Sequence, residues 1–120
     1  MENKLGVIEG KFADIIWNNA PITTAQLVKQ CAEEFDWKRT TTYTVLKRLS
    51  NRGIFQTQNG TVTPLVSREE FYAKRSTEFV EETFQGSLPA FLAAFTSRRK
   101  LSAKEIEEIQ EMIDAYGETK

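Results

Sequence analysis

The sequence has no histidine and a single cysteine, Cys31, among its 120 residues. Without histidine there is no serine–histidine or cysteine–histidine nucleophile. One thiol makes neither an intrachain disulfide nor a zinc site of the thiolate–imidazole kind. A Gly-rich phosphate loop is missing as well. The paired glutamates Glu81-Glu82 and Glu107-Glu108 fit solvated helix faces. An enzyme is therefore not expected, and no metal or other cofactor is called for. No apolar run approaches the ~20 residues that cross a bilayer. "MENKLGVIEG" has no apolar signal-peptide core and carries acids. These absences together lead to the expectation of a cytoplasmic protein without membrane attachment. The most informative absence is local. Between Asp36 and Glu69 there is no acid at all, although six Lys/Arg fall there.

What is present is enough for a packed core, with 40% hydrophobic and 28% charged residues. The net charge of −1 conceals an asymmetry. Residues 1–65 hold eight Lys/Arg against six Asp/Glu, and residues 66–120 hold eight against eleven. An acid-free basic stretch inside a slightly acidic chain implies an anionic partner.

Val7, Ile8, Phe12, Ile15 and Ile16 recur at helical spacing and predict a first helix over about 6–18. "NNAPIT" breaks it. Thr23 with Gln26 forms a capping box, and Ile22 with Leu27 the matching hydrophobic staple. A second helix follows at about 24–35, with Leu27, Val28, Cys31 and Ala32 inward. The third helix runs over about 39–52, its apolar stripe being Thr42, Val45, Leu46 and Leu49. Gly53 sits where a C′ glycine belongs. "IFQTQ" and "TVTPL" then flank Asn59-Gly60, a strong hairpin signal. Pro64 belongs near a strand end or on an edge. Two more capping boxes, Ser67 with Glu70 and Ser102 with Glu105, open helices near 68 and 103. Leu88, Phe91, Leu92 and Phe95 mark a further helix between them. Trp17 and Trp37 read as core anchors.

The order is three helices, a two-stranded hairpin, then three helices. A lone hairpin is marginal and must lean on its neighbours. The predicted fold class is mainly α with a small β-hairpin. An N-terminal winged helix-turn-helix occupies 1–66 and C-terminal dimerisation helices occupy 67–120.

The third helix, in "TTTYTVLKRLSNRG", is odd chemically. Threonine is only middling in a helix, at roughly 0.5 kcal/mol each relative to alanine. Once the core stripe is removed, Arg39, Thr40, Thr41, Tyr43, Thr44, Lys47 and Arg48 point outward. Short hydroxyl-bearing side chains at a helix N-terminus suit close approach to a major groove. There the second helix of the motif contacts base edges and the helix dipole favours phosphate. Arg39, Thr40, Thr41, Tyr43 and Thr44 are the candidates for base contact. Lys38, Lys47, Arg48 and Arg52 are the candidates for phosphates, with Asn59 and Thr61 on a wing at 54–65 that carries no lysine or arginine. The competing reading is a winged-helix protein-interaction module without sequence-specific DNA binding.

The last helix sets Ile106, Ile109, Ile113 and Tyr116 in a heptad-like seam, with Met112 beside it. Together with Phe84, Leu88, Phe91, Leu92 and Phe95 this is much apolar surface for short helices. A two-fold homodimer is the economical way to cover it, and it suits a palindromic DNA operator.

"IIWNNAPITTAQLVKQ", "DWKRTTTYTVLKRLSNRGIF" and "LSAKEIEEIQEMI" resemble the penicillinase and methicillin-resistance repressor family (BlaI/MecI/CopY type) over about residues 6–116. The resemblance implies a bacterial homodimeric repressor that binds a palindromic operator, with its recognition helix on 39–52. Penicillinase-type members share an Asn-Phe bond before the last helix, where an inducing protease cuts. The corresponding pair here is Ala94-Phe95, a departure from that pattern. Copper-responsive members cluster cysteines near the C-terminus, and this sequence does not. The resemblance thus implies the output, repression, and leaves the inducer, a sensor protease or another signal, unassigned.

Overall fold

The computed structural model describes residues 5–118. Among these are six helices and one small antiparallel sheet. In chain order they are α1 (Val7–Asn19), β1 (Ile22–Thr23), α2 (Thr24–Phe35), α3 (Arg39–Asn51), β2 (Phe55–Gln58), β3 (Thr61–Pro64), α4 (Arg68–Phe84), α5 (Leu88–Arg98) and α6 (Ala103–Glu118). The predicted class therefore holds, a winged helix-turn-helix followed by helices.

The chain forms two compact units, one reaching to Ser76 and one from Thr77 onward. The first takes in the opening turns of α4, past residue 66, because Phe71 and Tyr72 lie against Trp17 with ring centroids 5.9 and 6.1 Å apart.

The core of the first unit draws on every element from α1 to β3. Phe12, Ala13, Ile15 and Ile16 meet Leu27 and Cys31 of α2, Val45, Leu46 and Leu49 of α3, and Ile22, Ile54, Phe55 and Val62 around the sheet. Thr42 is buried among them. Both tryptophans pack on this core, Trp37 against Phe35 and Phe12. Two helix faces differ from expectation. Val7 and Ile8 are exposed, because they lie in the first turn, short of the core that begins at Phe12. Ala32 is exposed and Val28 only half-buried, so α2 turns a narrower face inward through Leu27 and Cys31.

The sheet has three strands where two were predicted, in the order β1-β3-β2. Ile22 pairs with Val62 and Thr23 with Thr61, and β3 pairs on its other side with β2. The extra strand is two residues long and ends on the N-cap of α2, so in the sequence it reads only as staple and cap. Pro64 closes β3 opposite Phe55, beyond the β1 pairing, where a missing N–H costs no bond to that strand. Asn59 and Gly60 take φ of 52° and 75° at the hairpin turn, and Gly53 takes 80° after α3.

All three predicted capping boxes form. Thr23, Ser67 and Ser102 each accept from the N–H three residues on, and Gln26, Glu70 and Glu105 each accept in return. In the second unit Phe79, Phe84 and Phe91 stack edge-on at 5.8–6.1 Å. Among its described residues none is fully buried.

Candidate nucleic-acid interface

The second helix of the helix-turn-helix is α3. Asp36 ends α2 in the left-handed conformation, and the chain turns through Trp37 and Lys38 into α3. Unlike Thr23 before α2, Lys38 makes no side-chain cap. The first-turn N–H groups of α3 thus have no side-chain acceptor there, which suits an incoming anion.

With Thr42, Val45, Leu46 and Leu49 buried, the opposite line of the helix is fixed by periodicity. It holds Thr40, Thr44, Lys47 and Asn51, all exposed. The Thr44 hydroxyl donates to the Thr40 carbonyl at 2.9 Å, which leaves its lone pairs and methyl free of that bond. Asn51 continues the row but was not among the predicted site residues. The four-three-four recurrence from Thr40 was the signal that could have found it.

One flank of this row faces α2. The Arg39 guanidinium lies 5.6 Å from the Tyr43 ring centroid. A hydrogen bond with Thr24 is the main cause that holds the Tyr43 phenol below its ordinary 10.0; desolvation opposes it, and the hydrogen bond and charge of Arg39 add smaller help. The Thr24 amide also donates to the Gly60 carbonyl at 2.9 Å. One residue at the start of α2 thus touches both the outward helix and the tip of the wing. Nothing local in the sequence marks it.

The other flank faces α1. Arg48 Nη1 donates to Glu9 Oε2 at 2.5 Å, and the Gly6 N–H donates to Glu9 Oε1 at 3.3 Å. The Glu9 carboxyl is held below its ordinary range chiefly by the Arg48 hydrogen bond, with smaller help from Gly6 and the charges of Arg48 and Arg52, against desolvation. The acid-free stretch of sequence is thus not acid-free in space. Arg68, also within it, pairs with Asp14 at 2.8 Å. Lys38, Arg39 and Lys47 have no carboxylate partner among the described residues.

On the wing, Gln58 and Asn59 are exposed, Thr61 is half-buried, and Gln56 Nε2 donates to Thr63 Oγ1 at 3.3 Å. Cys31 is buried rather than part of such a surface. Burial raises its thiol pKa, and a contact with Thr42 opposes this.

In the second unit, Leu88, Phe95, Ile106, Met112, Ile113 and Tyr116 are exposed, Met112 at 69% and Tyr116 at 75%. Phe84, Phe91, Leu92 and Ile109 are half-buried. Ala94 and Phe95 lie inside α5, where the Phe95 carbonyl accepts from Arg99 N–H at 3.1 Å. No helix among the described residues is long and apolar enough to cross a membrane.

An uncapped, basic second helix beside a three-stranded wing defines a winged helix of the DNA-binding transcription-regulator class. The family profile described as penicillinase repressor matches residues 5–115, and the chain belongs to that family of transcriptional repressors, which are not enzymes. It is similar to the penicillinase repressor of Bacillus licheniformis, 24% identical over 110 residues that cover 88% of this chain and 86% of that protein. It is also similar to the methicillin resistance regulatory protein MecI of Staphylococcus aureus, 23% identical over 121 residues, or 95% and 98% of the two chains. The MecI of Mammaliicoccus sciuri is 22% identical with the same coverage.

Proposed function

We propose that the chain acts in the cytoplasm as a homodimer that represses transcription by occupying a palindromic DNA operator. The observation that carries this is the exposed row Thr40, Thr44 and Lys47, directly opposite the buried row of the same helix. Hydroxyls and methyls at the N-terminal end of α3 meet base edges, together with Thr41, Tyr43 and Arg39. Lys38 and Lys47 hold phosphates. Arg48 and Arg52 flank them, with Glu9 as a rival anion. Asn59 and Thr61 on the wing meet the backbone or an adjacent minor groove.

The dimer reading is supported by the second unit, which offers exposed apolar side chains and contains no fully buried residue among those described. A second copy covers that surface by two-fold symmetry and sets two recognition helices on two half-sites.

The test is binding to a duplex from the promoter of its own gene, followed against salt. Affinity falls with salt, and each phosphate contact contributes about −0.9 to the log–log slope. Lys47→Ala shallows that slope equally on operator and scrambled duplex. Tyr43→Ala with Thr44→Ala instead erodes the preference between them. Binding that ignores salt, or shows no preference for the promoter, overturns the reading in favour of a protein-docking winged helix.

A further inference from the structure

Glu9 of α1 brings a carboxylate onto the recognition helix. Glu9 is fixed at both oxygens, one by the amide of Gly6 at the start of its own helix and one by the guanidinium of Arg48. Its side chain is 22% exposed, whereas that of Arg48 is 53% exposed. The carboxylate is therefore anchored and partly sheltered, and the cation is the more exposed partner. A phosphate asking for Arg48 would exchange one anion for another and leave Glu9 uncovered beside the DNA backbone. Exposed ion pairs add little to stability, so the fold itself gains little from this one.

We infer that Glu9 is a residue tuning DNA affinity, an internal phosphate mimic that holds Arg48 off the nucleic-acid backbone. The inference rests on the DNA-binding reading above and adds a restraint within it. Recognition helices bind any duplex through their cations, and that sequence-independent term must be limited if a repressor is to leave bulk DNA. Lys38, Arg39 and Lys47 supply phosphate or groove contacts with no rival carboxylate among the described residues. On the α1-facing flank, Glu9 occupies Arg48 and adds to the negative field at Arg52. The restraint leaves the outward row Thr40, Thr44, Lys47 and Asn51 untouched.

The experiment uses the full chain and a duplex of arbitrary sequence, with affinity read against salt for the unaltered protein, Glu9→Gln, Arg48→Ala and the double variant. Glutamine keeps an acceptor for Gly6 and removes the charge. Glu9→Gln is expected to steepen the log–log slope by about 0.9, so that its affinity advantage shrinks about threefold between 50 and 200 mM salt. Arg48→Ala alone is expected to change the slope little, and in the double variant to abolish the gain. A slope unchanged in Glu9→Gln overturns the inference. So does a gain that survives Arg48→Ala, which would reduce Glu9 to general repulsion. An Arg48→Ala variant that by itself loses about 0.9 of slope also overturns it, since Arg48 would then already be on a phosphate. Those results leave the DNA-binding reading standing. A protein that fails to bind any duplex at low salt overturns both.

Discussion

The indole N–H of Trp17 donates to the carbonyl of Val66 at 3.0 Å, joining α1 to the segment that enters α4 across 49 positions of sequence. Around the same ring lie Phe55 at 5.4 Å and Phe71 at 5.9 Å. This contact binds the wing's exit to the first helix. Trp17→Phe keeps one ring in the site but orphans a part-buried carbonyl, and is expected to lower stability by about 1–2 kcal/mol. Trp17→Ala removes the packing as well and is expected to cost about 3–5 kcal/mol. Urea denaturation of the two variants separates the hydrogen bond from the ring.

Tyr43 gives a spectroscopic handle on the α2-facing flank. Its phenol is held below 10.0, first by Thr24 and then by Arg39. The ionised form is therefore favoured in the fold. The tyrosinate absorbance that Tyr43→Phe removes is expected to appear at a pH below that of an ordinary tyrosine. Thr24→Val should return it upward, and Arg39→Ala should do so to a smaller degree. If Thr24→Val also weakens discrimination between promoter and scrambled duplex, the same hydroxyl positions Tyr43 for reading DNA.

Most of the fold was legible because its signals are local. Three capping boxes, a hydrophobic period and an Asn-Gly turn each declare themselves within a few residues. The strand β1 was not legible, since two residues cannot show an alternation and its partners Val62 and Thr61 lie about 40 positions away. The outward face of α3 followed from periodicity alone. Its electrostatics did not, because Glu9 and Asp14 return from α1 to meet Arg48 and Arg68 only once the core has formed. Thr24 escaped for the same reason. Its role depends on the closure of the sheet against α2.

Glu9 also gives the first unit a defined response to acid. Its pKa is lowered in the fold from the ordinary 4.5. Such a group stabilises the folded state above its unfolded pKa, and that contribution is lost as pH falls through the lower folded value. The urea midpoint of the unaltered protein is expected to fall more steeply below pH 4.5 than that of Glu9→Gln. Arg48→Ala should remove most of the difference. Parallel pH profiles for all three would show that the pair makes no thermodynamic contribution.

Thr42 sits 1% exposed in the core with no hydrogen-bond acceptor or donor in good geometry at its hydroxyl. Its neighbour Cys31 offers only a weak thiol partner. Valine has nearly the same shape and the same β-branching, and carries no polar atom. Thr42→Val is therefore expected to stabilise the protein by about 1 kcal/mol in urea. In both proteins the Cys31 thiol should resist a thiol reagent until unfolding. A destabilised variant would mean that the Thr42–Cys31 contact is stronger than its geometry indicates.

The dimer proposal places its energy in α6. Ile113 and Ile106 are more than half exposed, and Ile109 lies between them on the same seam, half-buried. Were this surface to face solvent in the working protein, aspartate there would be nearly neutral for stability and would leave the sedimentation coefficient unchanged. If a second copy covers it, two buried charges per chain oppose each other across a two-fold axis. Ile109→Asp with Ile113→Asp is then expected to sediment as a monomer while α3 and the wing stay folded, as judged by the Tyr43 titration. Affinity for a full operator should fall by orders of magnitude, because the second half-site loses its tether. Affinity for a single half-site should hold. A variant that stays dimeric would place the interface elsewhere and return the α6 seam to packing within one chain.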